Sequence, residues 1–394
     1  MPDIIYLDNA ATTRLRPEVL DAMMPYLTEK YANPSSIHSF GAECNAACEE
    51  SRKTIAKMIN AKDNEIYFTS GGSESDNWAI KSAAYMRKDK GKHIITSAIE
   101  HHAVMETCEF LARDGFEITF VGVDDKGILK LDELKAAIRP DTILISVIYA
   151  NNEIGTIQPI KEMGEIARSK GILFHTDAVQ AFGHVPIDVE KENIDLLSAS
   201  AHKIHGPKGI GMLYMKNNIK LTPMIHGGPH ERRRRAGTLN VPGIVGFGRA
   251  AELCRGSMEE CAVELTKKRN YLIDRILKEI PHSRLNGDRE KRLPGNANIS
   301  FRYIEGESML MLVDMKGIAA STGSACASGS LDPSHVLLAI GLPHEIAHGS
   351  LRMTLSDYTT KEELDYTVEA LKEVVARLRA MSPLYEDAVK NKEV

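Results

Sequence analysis

The sequence predicts an α/β fold, with a mostly parallel sheet covered by helices in a large domain and a smaller α+β domain after it. Three observations predict it. The chain has 394 residues, too many for one core, because cores stop growing near roughly 250–300 residues. Between about residues 64 and 215, short β-rich runs alternate with helical patterns, the rhythm of parallel strands joined by helices. Those runs are apolar on consecutive positions rather than on every second one, as strands covered on both faces must be.

In chain order the runs are EIYFTS, KHIITSA, EITFVGV, TILISVIYA, ILFHTDAV, DLLSAS and GIGMLYM. Segments such as ESDNWAIKSAAYMRKD separate them and have helical character. After the loop HGGPHERRRRAGT, helical periodicity with few breakers runs from Val241 to about Ile280, which predicts a long helix leading out of the first domain. The boundary is set on that helix. NANISFRYIEG and ESMLMLVDMKGIAAST then open the smaller unit, and TKEELDYTVEALKEVVARLRAM closes it as an amphipathic helix.

Composition narrows the class of function. Hydrophobic residues make up 43% and charged residues 26% of the chain, near globular averages. A net charge of -5 gives no electrostatic reason to bind nucleic acid or an anionic membrane. No apolar stretch reaches the ~18 residues of a membrane span, and the N-terminus lacks a basic segment followed by an apolar one, so export is not expected. The six cysteines form no C-x-x-C pair; neither a disulfide framework nor a zinc ribbon follows, and a reducing cytoplasmic location is predicted.

The most informative segment is SASAHKIHGPKGIG, where a strand-like run ends in Ser200, His202 and Lys203 before Gly206 and Pro207 break it. A lysine leaving a buried strand is desolvated and can lose its proton, which Schiff-base chemistry requires. Taken alone, a surface lysine would be the better reading; the neighbourhood reverses it. Upstream, ILFHTDAVQA ends in Asp177 and Gln180, and a carboxylate there can hold a pyridinium nitrogen protonated, making the ring an electron sink. In YFTSGGSESDN a strand leads through Gly71 and Gly72 into a helix beginning near Ser73 and Glu74, a helix start suited to phosphate. His101 follows the strand of SAIEHHAVME, where an imidazole can stack on a ring and move protons; His102 reads as a bystander.

Together these segments resemble the cysteine desulfurases of the NifS/IscS family, fold-type I pyridoxal-phosphate-dependent transferases of the class V aminotransferase type. The resemblance runs nearly end to end, through YLDNAATT, NPSSIHSFG, FTSGGSESDN, EHHAV, ANNEIGTIQP, HTDAVQAFG, SAHKIHGPKGIG, GGPHERRRRAGT, STGSACASG and HGSLRMTLS. It implies conversion of L-cysteine to L-alanine with pyridoxal 5'-phosphate as cofactor. Lys203 would hold the cofactor, Asp177 pair with its ring nitrogen, Gln180 bond the ring oxygen and His101 stack on the ring. Gly72, Ser73, Ser200 and His202 would hold the phosphate, while Thr238 would reach the phosphate of the other subunit in a homodimer. Asn152 would contact cofactor and substrate, and Arg352 would grip the substrate carboxylate. Catalysis would fall to Cys326, Lys203 and His101. The implied division is a large domain over 14–257 and a small one over 1–13 and 258–394, the latter carrying the catalytic cysteine.

Cys326 stands in STGSACASGS, a run of small residues expected to be mobile. Its thiolate would attack the substrate sulfur and carry it as a persulfide to an iron–sulfur scaffold protein or another acceptor; which pathway is served stays open. Cys44, Cys48, Cys108, Cys254 and Cys261 lie in helical patterns and read as structural. Pro229 and Arg233 stand where relatives generally carry glycine. HEIAH, residues 344–348, matches the H-E-x-x-H zinc pattern; flanked by Pro343 and Gly349 it has barely one helical turn, and no metal is expected. The run Arg232 to Arg235 is read as an active-site or dimer contact rather than a nucleic-acid patch.

Overall fold

The computed structural model describes residues 4–322 and 333–391, so Cys326 lies outside the described residues. Its strands in chain order are β1 (Ile5–Tyr6), β2 (Ile66–Thr69), β3 (His93–Ser97), β4 (Glu117–Val121), β5 (Thr142–Ser146) and β6 (Leu173–Asp177). They continue as β7 (Leu196–Ser200), β8 (Gly211–Met215), β9 (Ser283–Leu285), β10 (Asn296–Phe301), β11 (Ile318–Ala319) and β12 (Ser350–Thr354).

The β-rich runs of the sequence become β2 to β8, one sheet in the order β2-β8-β7-β6-β5-β3-β4. Pairing is parallel from β4 across to β7, whereas β8 is antiparallel to both of its neighbours. Strands β3, β5, β6, β7 and β8 are buried at every position, which is why their sequences show no alternation. The edge strand β4 departs from this: Glu117 and Phe120 are exposed, because an edge has cover from one side only. Adjacent β6 and β7 pair Asp177 with Ser198, so their carboxyl ends open side by side, where open α/β sheets bind ligands.

The second unit has the antiparallel sheet β12-β10-β9 and the parallel pair β1-β11. Leu7, just after β1, packs in the same apolar cluster as Leu272, Ile299 and Leu371. The long helix Val241–Glu279 spans both cores, placing Ile244 and Phe247 in one and Leu272 and Ile276 in the other. The closing helix Lys361–Ala380 is started by a capping box between Thr360 and Glu363.

Local departures from the sequence expectation are small. The helix Gly72–Arg87 starts at Gly72, one residue before the start near Ser73 that the sequence suggests, with Gly71 at its N-cap. HEIAH forms the five-residue helix His344–His348. Cys44 and Cys48 lie on the helix Ser39–Met58 and Cys108 on His102–Arg113, and Cys254 and Cys261 on the long helix. Burial pushes the thiols of Cys48, Cys108 and Cys254 up to about 12, which leaves little thiolate for chemistry. Among the described residues no helix is long and apolar enough to cross a membrane.

Candidate active site

The floor of the site is acidic and dry. Asp177 ends β6 and accepts the backbone N–H of Val179 at 2.9 Å. Burial raises its carboxyl above the ordinary range, opposed by His101, that N–H and Lys203. His101 caps the helix His102–Arg113, accepting from the Ala103 N–H at 3.1 Å. Burial, reinforced by Lys203, His102 and His335, holds its imidazole below the usual value despite Asp177, so it stands neutral at physiological pH. Ligating atoms of Asp76, His101 and Asp177 lie within 4.8 Å of one another.

Asp76 and Glu100 are the residues here that the sequence reading passed over. Both are buried, and Asp76 Oδ1 and Glu100 Oε2 have no hydrogen-bond partner among the described residues. Burial raises both carboxyls, Glu100 to about 8, and each is raised further by Asp177. Like charges this near one another resist ionising together, and of the three only Asp177 has His101 and Lys203 opposing the rise, which favours the charge there. Asp76 could have been found: it precedes the buried Ile80 and Ala83 by four and seven positions on one helical face, and a carboxylate on an apolar face is a signal.

Lys203 follows β7 in the tight turn Ala201–Lys203. Its Nζ donates to the carbonyls of Ala10 at 2.5 Å and Ala11 at 2.8 Å, and Gln180 Nε2 donates to the same Ala10 oxygen at 2.9 Å. The segment YLDNAATT thus reaches across from β1 to the lysine. His202 Nδ1 shares a hydrogen bond with Thr12 Oγ1 at 3.1 Å, and burial, with Lys203 and Lys208 adding to it, takes its imidazole down to about 4.

Beside these groups lies a cleft of about 420 Å³ lined by Thr12, Gly72, Ser73, Glu74, Ser200, His202 and Lys208, among others. Backbone N–H groups of the helix Gly72–Arg87 start at this cleft, and a Cβ at Gly72 would come within 2.6 Å of Val179 Cγ2, so a side chain there would force that valine to shift. Hydroxyls, N–H groups and an ammonium suit a phosphate. Burial alone would raise the Glu74 carboxyl, but hydrogen bonds from Arg235 and the Ser70 N–H hold it low; Arg235 takes both of its oxygens, at 2.9 and 3.1 Å. The donor set therefore fits pyridoxal phosphate: a carboxylate for the ring nitrogen, an amine for the aldehyde, and an anion cradle.

Arg352 on β12 is 2% exposed. Its Nη2 donates to Asp8 Oδ1 at 2.9 Å and its Nη1 to the Asn152 carbonyl at 3.2 Å. Within the chain the structure thus assembles Asp177, His101, Lys203 and Gln180, the cleft with Gly72, Ser73, Ser200 and His202, and the Arg352–Asn152 contact. Thr238 is not in that cleft; it is exposed on the loop before the long helix. In that loop Glu231, Arg232 and Arg233 have φ of 42°, 56° and 65°, so Arg233 stands in a conformation that favours glycine. Arg232 donates to the Asn64 carbonyl at 2.9 Å and Arg234 to that of Leu221 at 2.9 Å, so that, with Arg235 on Glu74, three of the four arginines hold the loop to the large unit.

The family model described as aminotransferase class-V matches residues 5–367. A Methanosarcina thermophila protein named cysteine desulfurase IscS is 58% identical over 380 residues, covering 96% of this chain and 94% of that protein. A Clostridium botulinum protein of the same name is 55% identical, covering 99% and 98%. Among solved structures, one titled NifS-like protein superposes with a TM-score of 0.90 at 40% identity, covering 95% of this chain and all (100%) of that one. Another, titled SspA in complex with cysteine, gives 0.80 at 38% identity, covering 90% and 100%.

Proposed function

The chain belongs to the class-V aminotransferase family, and from that premise we propose that it is a pyridoxal-phosphate-dependent cysteine desulfurase, releasing L-alanine from L-cysteine and carrying the sulfur on Cys326. The observation that carries the reading is the side-by-side ending of β6 and β7, which puts Asp177 and the turn bearing Lys203 at one buried site with His101.

Pyridoxal phosphate, when bound, supplies an aldehyde that condenses with amines and a protonated ring that stores electrons released at Cα. Lys203 Nζ would hold that group and, with His101, would move the Cα proton. Asp177, the acid best placed to be charged, would pair with the ring nitrogen, and Gln180 with the ring oxygen. Gly72, Ser73, Ser200 and His202 hold the phosphate; His202, neutral at physiological pH with its imidazole near 4, binds as a hydrogen-bonding group rather than as a cation. Arg352 and Asn152 orient the amino acid. The Cys326 thiolate would attack the substrate sulfur as the carbon–sulfur bond breaks, the electron pair staying with the three-carbon remainder, which takes a proton at Cβ, regains the one moved from Cα and leaves as alanine.

The proposal extends to a homodimer in which the exposed Thr238 serves the other subunit's phosphate. It also includes the division into 14–257 and 1–13 with 258–394, a cytoplasmic location, and delivery of the persulfide to an iron–sulfur scaffold or another acceptor protein. Incubating the purified protein with L-cysteine and dithiothreitol tests the activity. Equal yields of sulfide and alanine are expected, with both lost in Cys326→Ala, and borohydride should fix the cofactor at Lys203. Alanine without sulfide, or a label elsewhere, would overturn it.

A further inference from the structure

The N-terminal segment meets the site at a point the reaction above leaves unused. Arg352 carries five N–H groups, and only some are matched. Nη2 donates to Asp8 Oδ1 and Nη1 to the Asn152 carbonyl, while Nε is buried without a partner among the described residues. Asp8 is itself well anchored. It bridges to Thr354 through the backbone, and on the next residues Asn9 Nδ2 donates to the Thr354 carbonyl and the Ala10 N–H to Thr354 Oγ1, both at 2.8 Å. A fixed carboxylate thus holds one arm of a buried fork, and among the described residues a donor on the same guanidinium stays unmatched.

We propose that Asp8 is a positioning and specificity-determining residue, a resident carboxylate that neutralises one arm of Arg352 and so sets how tightly the fork holds the α-carboxylate of an amino acid. The inference rests on reading Arg352 as the substrate grip. A buried guanidinium lacking a counter-ion is costly, so any incoming carboxylate that neutralised it would bind hard. With Asp8 in place the fork is neutral before the amino acid arrives. The second carboxylate then gains directional hydrogen bonds, Nε among them, and little net Coulomb energy. The consequence falls on exchange: cysteine and alanine carry the same α-carboxylate, and tight uniform holding of both would add nothing to the chemical step.

The test uses the holoenzyme and equilibrium binding, followed by the absorption of the bound cofactor. The probes are L-alanine and L-alaninamide, which lacks the carboxylate. Asp8→Asn keeps an acceptor oxygen and removes the charge. It should tighten L-alanine roughly tenfold, about 1.4 kcal/mol, while L-alaninamide stays within about twofold, and the KM for L-cysteine should fall with it. The smaller neutral variant Asp8→Ser should move L-alanine in the same direction. Unchanged or weaker L-alanine binding, an equal shift in both probes, or loss of cofactor or folding in both neutral variants would each overturn the proposal. Arg352→Gln separates the premise from the inference: if it does not weaken L-alanine relative to L-alaninamide, the grip reading has failed, whatever Asp8 does.

Discussion

At the floor of the site Asp76, Glu100 and Asp177 are sealed from water, whereas along the rim Arg232, Arg233, Gly237 and Thr238 are exposed. The floor sits at the ends of buried strands, and its ionisation is governed by desolvation. The rim is a loop in a left-handed turn, held from below by a buried ion pair beside that of Arg235 with Glu74: Arg52 donates to the two carboxylate oxygens of Glu231 at 2.9 and 2.7 Å. Glu231 also accepts the Phe68 N–H at 2.7 Å. The contrast teaches that burial governs the acids of the floor, while direct ion pairing governs the charges that shape the loop.

The contrast can be broken most forcefully at Asp177. Asp177→Asn should lower kcat by about 10²–10⁴-fold without lowering the melting temperature of the cofactor-free protein, because it removes a buried charge rather than a partner. A large loss of stability would show that this carboxylate also holds the fold. On the rim the opposite pattern is expected. Glu231→Gln should cost about 3 kcal/mol in urea unfolding, the low end for a broken buried pair, because Arg52 keeps the part-exposed Glu49 carboxylate at 3.1 Å as its counter-ion; a cost below about 1 kcal/mol would mean the loop stands without the pair.

The third experiment asks whether the floor acids truly resist ionisation. Burial takes Glu100 up to about 8 from 4.5. In the folded state its proton is therefore held more tightly than in the unfolded chain, and stability falls as pH rises from 4.5 through about 8. Glu100→Gln should gain stability over the parent on the order of a few kcal/mol at about pH 9, with the gain fading toward about pH 5. A pH-independent difference would show that packing alone distinguishes the two. The smallest effect is expected on the rim, where Arg233→Gly relieves a left-handed φ and should stabilise by about 0.5–1 kcal/mol in thermal unfolding.

Much of this was legible in the chain. Uninterrupted apolar runs mark β2 to β8, and the long helix is readable to within a residue of its end at Glu279. Lys203, Asp177, His101 and the Gly72–Ser73 turn could be singled out because each stands where a strand or helix begins or ends. Strand order was not legible, since pairing β8 between β2 and β7 depends on contacts that no local pattern encodes. Asp76 and Glu100 were missed because acidic residues in a helical or loop pattern ordinarily face water. Asp8 appeared only as a letter in YLDNAATT. Arg233 was noticed as an unusual residue for its place, and its φ of 65° supplies the reason.

By itself the sequence determined which chemical groups are present and at which strand and helix ends they stand, because hydrophobic period and turn residues act over a few positions. Only the tertiary structure decided which charges are matched. Asp8 meets Arg352 across 344 positions and Arg52 meets Glu231 across 179. Desolvation and ion pairing are set by what surrounds a group in space, and the chain carries that surrounding only once it has folded.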